Sequence, residues 1–144
     1  MSVLGNSRLY QLATPPIIPG DSNNTNTQAS LRHKIPLTSA TQETSTTTAV
    51  TIAGGSSNFS VTTQAYTLAS AATSSFTINN SHISSVNNLQ ATIVDYSGTI
   101  VTNGIPLVML DGITDGAVTV NVVNIHGANA LAGTLTIHFV VTTG

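Results

Sequence analysis

Apolar and polar residues alternate with a period of two along much of the chain from about residue 47, and this period predicts β-strands with one buried face. The pattern is clearest near the C-terminus, where every second residue from Leu135 to Val141 is large and apolar. Segments 89–93 and 118–122 repeat it, with aliphatic residues on one face and polar residues on the other. Shorter strands are predicted at 47–52, 59–62, 66–68 and 76–78.

Turn residues separate these predicted strands and indicate the class of fold. Glycine occurs in turn-forming pairs at 54–55, 97–98, 111–112 and 115–116. Asn103-Gly104 predicts a type I′ hairpin turn, because both residues tolerate the positive φ that this turn requires. Helix is limited to a short turn near 82–88 or 128–131. Short strands with frequent turns predict an all-β fold, a single β-sandwich or jelly-roll-like domain.

The segment from Pro106 to Leu110 departs from simple alternation, because it is apolar on both faces. Strands that are buried on both faces have this composition, and proline is tolerated at the first position of a strand. We therefore expect residues 106–110 to form a central, buried strand of a sheet.

Residues 1–42 differ from the rest of the chain, since they show no sustained period of either kind. They contain Pro15, Pro16 and Pro19, followed by a polar run at 21–27. A residue before proline is pushed out of the helical region, so this part should be extended. We predict an extended N-terminal arm at 1–42, without a core of its own, and a β-sandwich domain at 43–144.

Charged residues are scarce, and their scarcity bears on whether the domain acts alone or as part of an assembly. Asp, Glu, Lys and Arg make up 6% of the chain, against about 25% in an ordinary soluble protein. Serine and threonine supply 40 residues and asparagine 13. These side chains can be buried between subunits once hydrogen-bonded, whereas an unpaired charge is costly to bury. The composition favours a chain that acts when assembled; the alternative is a stable extracellular or thermophilic monomer with a hydroxyl-rich surface.

All three basic residues, Arg8, Arg32 and Lys34, lie in the arm, whereas four of the five acids lie after it. This segregation predicts that the arm meets an acidic surface, such as a neighbouring subunit, although chance placement is the alternative. Three charges without interleaved aromatic residues make a poor phosphate-binding surface, so no nucleic-acid partner is expected. No apolar run approaches the roughly 20 residues of a membrane helix, and the N-terminus shows no apolar signal segment.

Candidate chemistry is equally sparse. The four histidines lack metal-ligand spacing, although His126 and His138 could meet across a hairpin. Asp111 and Asp115 lack the further oxygen ligands of an EF-hand calcium loop. The chain has no cysteine, one glutamate, no Gly-x-Ser-x-Gly elbow and no phosphate-binding glycine motif. We expect no enzymatic activity, no cofactor, and no catalytic, cofactor-binding or metal-binding residues.

The C-terminal part carries a resemblance to a known class of proteins. Its segments are DYSGT at 95–99, GIPLV at 104–108, GAVTVNVVN at 116–124 and GANALAGTLTI at 127–137. Over about residues 85–144 it resembles small virion proteins of tailed bacteriophages, particularly head decoration or cement proteins with a β-sandwich body. The resemblance implies a location on the capsid surface, the major capsid protein as partner, and self-association, with trimers favoured.

The arm would then contribute the partner-binding residues of this capsid protein. Arg8, Arg32 and Lys34 are predicted as its polar contacts, with Tyr10 and the Pro15-Pro16 segment as apolar anchors. Tail, fibre and minor capsid subunits use similar strands and turns, and remain an alternative within the virion. A carbohydrate-binding or adhesin module is an alternative of another class, and it would need exposed aromatic residues on one sheet face.

Overall fold

The structure, a computed structural model, describes residues Leu37–Gly144, and all regular secondary structure in this part of the chain is β-strand. The prediction of an all-β fold is therefore confirmed. The segments near 82–88 and 128–131 form turns and bends rather than helix. The strands are β1 Thr38–Thr41, β2 Val50–Thr51, β3 Asn58–Thr62, β4 Tyr66–Leu68, β5 Thr73–Asn79, β6 Asn88–Tyr96, β7 Pro106–Thr114, β8 Ala117–Asn124, β9 Leu131–Gly133 and β10 Leu135–Thr142.

Two four-stranded sheets form the β-sandwich, and a two-stranded sheet of β4 and β9 accompanies them. The first sheet has the order β1-β3-β10-β6 and the second has the order β2-β5-β8-β7. The short strands β1 and β2 run parallel to β3 and β5, whereas the other pairs are antiparallel. Strands β6 and β7 are thus edge strands of opposite sheets, and they contact each other across the sandwich.

The core lies between the central strands of the two sheets. In β10 and β8 every second side chain is buried, as the alternation predicted. Phe59 of β3 and Phe139 of β10 stack with ring centroids 4.9 Å apart. Burial of large aromatic and aliphatic side chains is the main stabilising contribution in such a sandwich. The buried apolar residues are Val50, Ile52, Phe59, Val61, Tyr66, Phe76, Ile78, Ile83, Val118, Val120, Val122, Leu131, Leu135, Ile137, Phe139 and Val141.

The segment 106–110 is not the central strand that its composition predicted. It forms the first part of β7, which lies at the edge of the second sheet. One face of β7 packs toward the core, while Leu107 and Met109 on the other face are 42% and 49% exposed. An apolar composition on both faces indicates that both faces favour burial, and residues 37–144 cover only one of them.

The turn predicted at Asn103-Gly104 also differs from the structure. The strands on either side, β6 and β7, belong to different sheets, so the connection crosses the sandwich instead of closing a hairpin. Of Asn103 and Gly104, only Gly104 has a positive φ, of 82°. A Cβ at this glycine would lie 2.7 Å from the backbone of Leu131, so close packing, as well as the turn, requires glycine here.

The sandwich begins before the predicted boundary at residue 43. Residues 38–41 form β1 and pair with β3, and the next residue, Gln42, is fully buried. The Gln42 side chain donates to Thr48 O at 2.8 Å and accepts from Gln64 N at 3.2 Å. These polar residues showed no strand period in the sequence because β1 is short and their contacts are hydrogen bonds. The remainder of the predicted arm, residues 1–36, lies outside the described residues.

Candidate interaction surfaces

The longest strands of the sandwich, β6 and β7, lie at its borders. Each has nine residues, whereas the edge strands on the opposite side, β1 and β2, have four and two. We call the border formed by β6 and β7 the open edge. The backbone groups on the outer side of an edge strand have no neighbour in the sheet, so a long edge strand can accept a strand from another chain.

Natural proteins protect long edges with lysine, proline or bulges. Residues 37–144 contain no Lys or Arg, so no basic side chain of this part of the chain protects the open edge. Pro106 opens β7, and a bulge interrupts its pairing with β8 between Asp111 and Thr114. These two features limit the accessible part of β7 to its first half, between the proline and the bulge.

The inner face of the open edge is apolar and only half-buried. Three aliphatic side chains of β6 and three of β7 pack against the core but keep part of their surface exposed. The central strands, by contrast, bury their inner side chains almost completely. The sandwich is thus less completely closed at this border than along its centre. The six residues are Leu89, Ala91, Ile93, Val108, Leu110 and Ile113.

The outer face of β7 adds a second apolar area. Leu107 lies directly opposite Val123 of β8, and Met109 lies opposite Asn121. Ile125, 54% exposed, follows β8 and donates its N–H to Ile105 O at 2.9 Å. We define the β7 patch as Leu107, Met109, Val123 and Ile125. Exposed apolar side chains that lie next to one another along a strand pair indicate an interaction surface more strongly than isolated ones do.

The acidic residues frame this area without entering it. Asp95 lies near the end of β6, Asp111 lies in β7 beyond Met109, and Asp115 occupies the β7–β8 turn. Asp115 accepts hydrogen bonds from Ser85 N at 2.9 Å and from the hydroxyls of Ser84 and Ser85 at 3.1 Å. These three donors, led by the Ser85 backbone N–H, lower the pKa of the Asp115 carboxyl. Asp115 therefore ties the 84–85 loop to the hairpin.

The histidines described by the structure make local hydrogen bonds. His126 Nδ1 accepts from Ala128 N at 3.0 Å and from Asn129 N at 2.8 Å, which orders the loop after β8. His138 Nε2 lies 2.5 Å from Asn58 Oδ1 on the outer face of the first sheet. Among residues 37–144 there is no group of three or more His, Asp or Glu side chains that could hold a metal ion.

A surface cleft of about 430 Å³ lies between the β2–β3 loop and the end of β5, lined mostly by small residues and backbone. Its one buried amide, Asn80, is already used, since Oδ1 accepts from Ser56 N and His82 N and Nδ2 donates to Ser56 O. The other amide of the lining, Asn79, is exposed to solvent, so the cleft offers few groups that could fix the orientation of a small ligand.

The residues predicted to bind a partner from the sequence were Arg8, Tyr10, Pro15, Pro16, Arg32 and Lys34. All six lie outside the described residues, and their partner-binding role stays a prediction. Sequence reasoning missed the open edge, although the two-faced apolarity of 106–110 was a usable signal for it. In the described part of the chain, no helix has the length and apolarity needed to cross a membrane.

Comparisons of the chain with protein-family models, with curated proteins and with solved structures found no match. The residues of the chain and the geometry of the open edge are therefore the guide to its function.

Proposed function

We propose that this chain is a non-enzymatic virion structural protein, which decorates and stabilises a bacteriophage capsid by binding the major capsid protein and further copies of itself. The observation that carries the proposal is the open edge. It combines two nine-residue border strands, half-buried apolar residues between them and, within residues 37–144, no basic residue to protect them. A border of this kind is favourable when a neighbour covers it, and it promotes aggregation when it stays free.

The low charge of the body supports the same proposal. Residues 37–144 carry four acidic side chains and no Lys or Arg, and their polar surface is mostly hydroxyl and amide. Groups of this kind lose little when they are transferred into a hydrogen-bonded interface. A repeated subunit gains further from the lattice, because weak contacts at many sites combine into strong attachment.

The predicted arm would supply a second type of contact. Its three basic residues are available for an acidic partner surface, and an extended segment can add backbone hydrogen bonds at a sheet edge of that partner. Segments that order on binding lose conformational entropy, which the lattice contacts of the body would offset.

A carbohydrate-binding module receives less support from the described residues. Phe59, Phe76, Phe139 and Tyr66 are buried. The hydroxyl of half-buried Tyr96 donates to the carbonyls of Asn103 and Ala132. Residues 37–144 therefore offer no row of exposed aromatic rings on which a sugar could stack. A tail, fibre or minor capsid subunit shares every feature of the open edge, so the number of copies in each particle separates it from a decoration protein.

The test is sedimentation of the purified full-length chain with empty heads of the virus that encodes it. Saturable binding at hundreds of copies per head, with stabilised heads, supports the proposal. A few copies at one vertex or on the tail would favour the tail or minor capsid alternative. A stable monomer that binds neither heads nor tails overturns the proposal.

The arm is tested in the same assay with the triple variant Arg8→Gln, Arg32→Gln and Lys34→Gln. We expect weaker binding to heads and a weaker dependence of binding on salt, because three charge contacts are lost. The matched control is Ser22→Ala with Thr25→Ala and Thr27→Ala, three changes in the arm that keep its charge. Equal binding by both variants would exclude the basic residues as capsid contacts.

A further inference from the structure

We propose that β7 pairs antiparallel with β7 of a second copy of this chain, about a two-fold axis at Val108, so that the second sheet continues from one copy into the other. This inference deepens the proposed function, because it names the occupant of the β7 border. The pairing is two-fold, whereas the resemblance to decoration proteins implies trimers.

The hydrogen-bonding pattern of β7 defines which of its backbone groups have no partner among residues 37–144. Ile125 N donates to Ile105 O, so residues 105 and 125 form a hydrogen-bonded pair. Antiparallel pairs alternate, and Leu107 and Met109 therefore also direct their backbone groups toward β8. Val108 and Leu110 direct theirs to the open side. On the far side of β8, Asn124 N donates to Ala72 O, which agrees with this alternation.

A two-fold axis at Val108 uses these free groups. Val108 of each copy would donate to and accept from Val108 of the other, which gives two hydrogen bonds. Leu110 N–H of each copy would donate to the Pro106 carbonyl of the other and give two more. Pro106 has no N–H to donate to the Leu110 carbonyl of the other copy, so the pairing stops at this position on both sides of the axis. Within each copy, the bulge beyond Asp111 ends the regular part of β7.

The side chains match in this register. On the outer face, Leu107 of one copy would lie opposite Met109 of the other, which forms a continuous apolar group of four side chains. Asp111 would lie opposite Ile105 of the second copy and outside that group. With the axis at Met109 instead, Asp111 would lie opposite Leu107 and its charge would be held against an apolar partner. The axis at Val108 is therefore favoured.

The inner face also gains from the pairing. Val108 and Leu110 are half-buried in one copy, and β6 lies against β7 from the other sheet. Joining two open edges would extend the core between the sheets across the axis. A stable interface needs about 800 Å² from each partner, which is about a tenth of the 8348 Å² exposed by one chain. Contact by β7 alone is narrow, so β6 must contribute to reach this area.

Disulfide trapping tests the register, since the chain has no cysteine of its own. Directly opposed residues of a hydrogen-bonded pair have Cα atoms about 5.5 Å apart, which suits a disulfide. We expect full-length Val108→Cys to form a covalent dimer on mild oxidation, faster than Met109→Cys. The control Thr51→Cys, on the edge strand at the opposite side of the same sheet, should stay monomeric on a denaturing gel. Equal rates for all three variants would overturn the proposal.

A second variant tests the apolar contact without altering the core. Leu107→Glu places a charge on the outer face opposite Met109 of the second copy, and we expect at least tenfold weaker dimerisation by sedimentation equilibrium. Thr51→Glu adds the same charge to the exposed surface of β2 and should leave dimerisation unchanged. Circular dichroism of both variants reports whether each is folded. A folded Leu107→Glu that dimerises like the unmodified chain would contradict the pairing.

The two proposals fail separately. Trapped dimers that do not bind heads would remove the capsid function and leave the pairing intact. If the Val108→Cys chain saturates heads but forms no disulfide-linked dimer, in solution or on the particle, the pairing is excluded and the capsid function is supported.

Discussion

Replacing Asn124 tests whether one buried amide holds together the end of the sandwich from which β7 starts. Asn124 is fully buried at the end of β8. Its two Nδ2 hydrogens are shared among three carbonyl oxygens and its Oδ1 accepts two hydrogen bonds, so a single side chain serves five backbone groups. The partners are Leu68 O at 3.2 Å, Ala69 O at 3.1 Å, Asn129 O at 2.8 Å, Ile105 N at 3.1 Å and His126 N at 3.1 Å.

The expected loss in the free energy of unfolding follows from these five hydrogen-bonding contacts. A hydrogen bond contributes about 1 kcal/mol net, and a buried group left without a partner costs about 1–3 kcal/mol. In Asn124→Ala, water would reach some of the five backbone groups and leave others unpaired. We therefore expect the free energy of unfolding to fall by about 4 kcal/mol. That is a large part of the 5–15 kcal/mol typical of a domain, and it lowers Tm by roughly 15 °C.

The assay is urea unfolding with a matched control, Asn121→Ala, on the same strand. The Asn121 side chain accepts one hydrogen bond, from Ser75 Oγ at 2.6 Å, on the solvent-facing side of the sheet. Its loss should cost less than about 1 kcal/mol. A loss for Asn124→Ala no larger than that for Asn121→Ala would refute the idea that the buried amide organises this end of the sandwich.

Three further changes test other parts of the described structure. Burial raises the pKa of the Tyr66 hydroxyl to about 12, and this hydroxyl has no hydrogen-bond partner in the described region. Its neutral form is favoured by folding, so stability should fall as pH rises from about 10 toward 12, by about 2 kcal/mol. Tyr66→Phe should reduce the fall measured in urea titrations to the part that comes from Tyr96, whose pKa burial also raises. Gly104→Ala should lower the free energy of unfolding by about 3 kcal/mol, because its φ is positive and its Cβ would meet the Leu131 backbone, whereas Gly127→Ala, with open space around it, should be neutral within about 0.5 kcal/mol. The lowered pKa of Asp115 means that its hydrogen bonds contribute above about pH 4 and are lost as pH falls below it, so acid unfolding of Asp115→Asn should depend less on pH in that range.

The sequence predicted the parts of the fold in which one face is buried by the same chain. The alternation in β8 and β10 identified their inner residues, and the segment 66–68 was placed correctly as a strand. These predictions succeeded because the period of two and the direction of burial agree along each strand.

Other features could not be predicted, because they depend on partners that are distant in the sequence. Asn124 resembles any polar strand-end residue, yet three of its five hydrogen-bond partners, Leu68, Ala69 and Ile105, lie on distant segments of the chain. Asn103-Gly104 has the composition of a hairpin turn, but the backbone of Leu131 decides its geometry. The local sequence correctly indicated a turn at this position. It carries no information about the fact that the connection crosses from one sheet to the other.

The position of β7 also escaped prediction, and the physical reason bears on function. Apolarity on two faces is typical of strands with a neighbour on both sides, and among the strands of residues 37–144 the segment Pro106–Leu110 has a neighbour on one side only. In the proposed pair, the same segment would lie inside a sheet that extends through two copies. Its apolar composition would then match burial on both faces. Pro106 would lie at the last paired position on each side of the axis, where its missing N–H costs only one hydrogen bond.

An exposed β7 and a paired β7 should respond differently to charged residues on the outer face. If β7 works at an edge exposed to water, charged residues on its outer face should be tolerated with no effect beyond solubility. If β7 works inside a paired sheet, the double variant Leu107→Lys with Met109→Lys should unfold at the same urea midpoint as the unmodified chain at low protein concentration, because the monomer is intact. Its midpoint should no longer depend on concentration, because the dimer does not form. The control pair Thr51→Lys with Thr73→Lys, exposed positions on β2 and β5, should retain that dependence. A midpoint that never depends on concentration, in any of the three chains, would mean that β7 has no second copy as its neighbour.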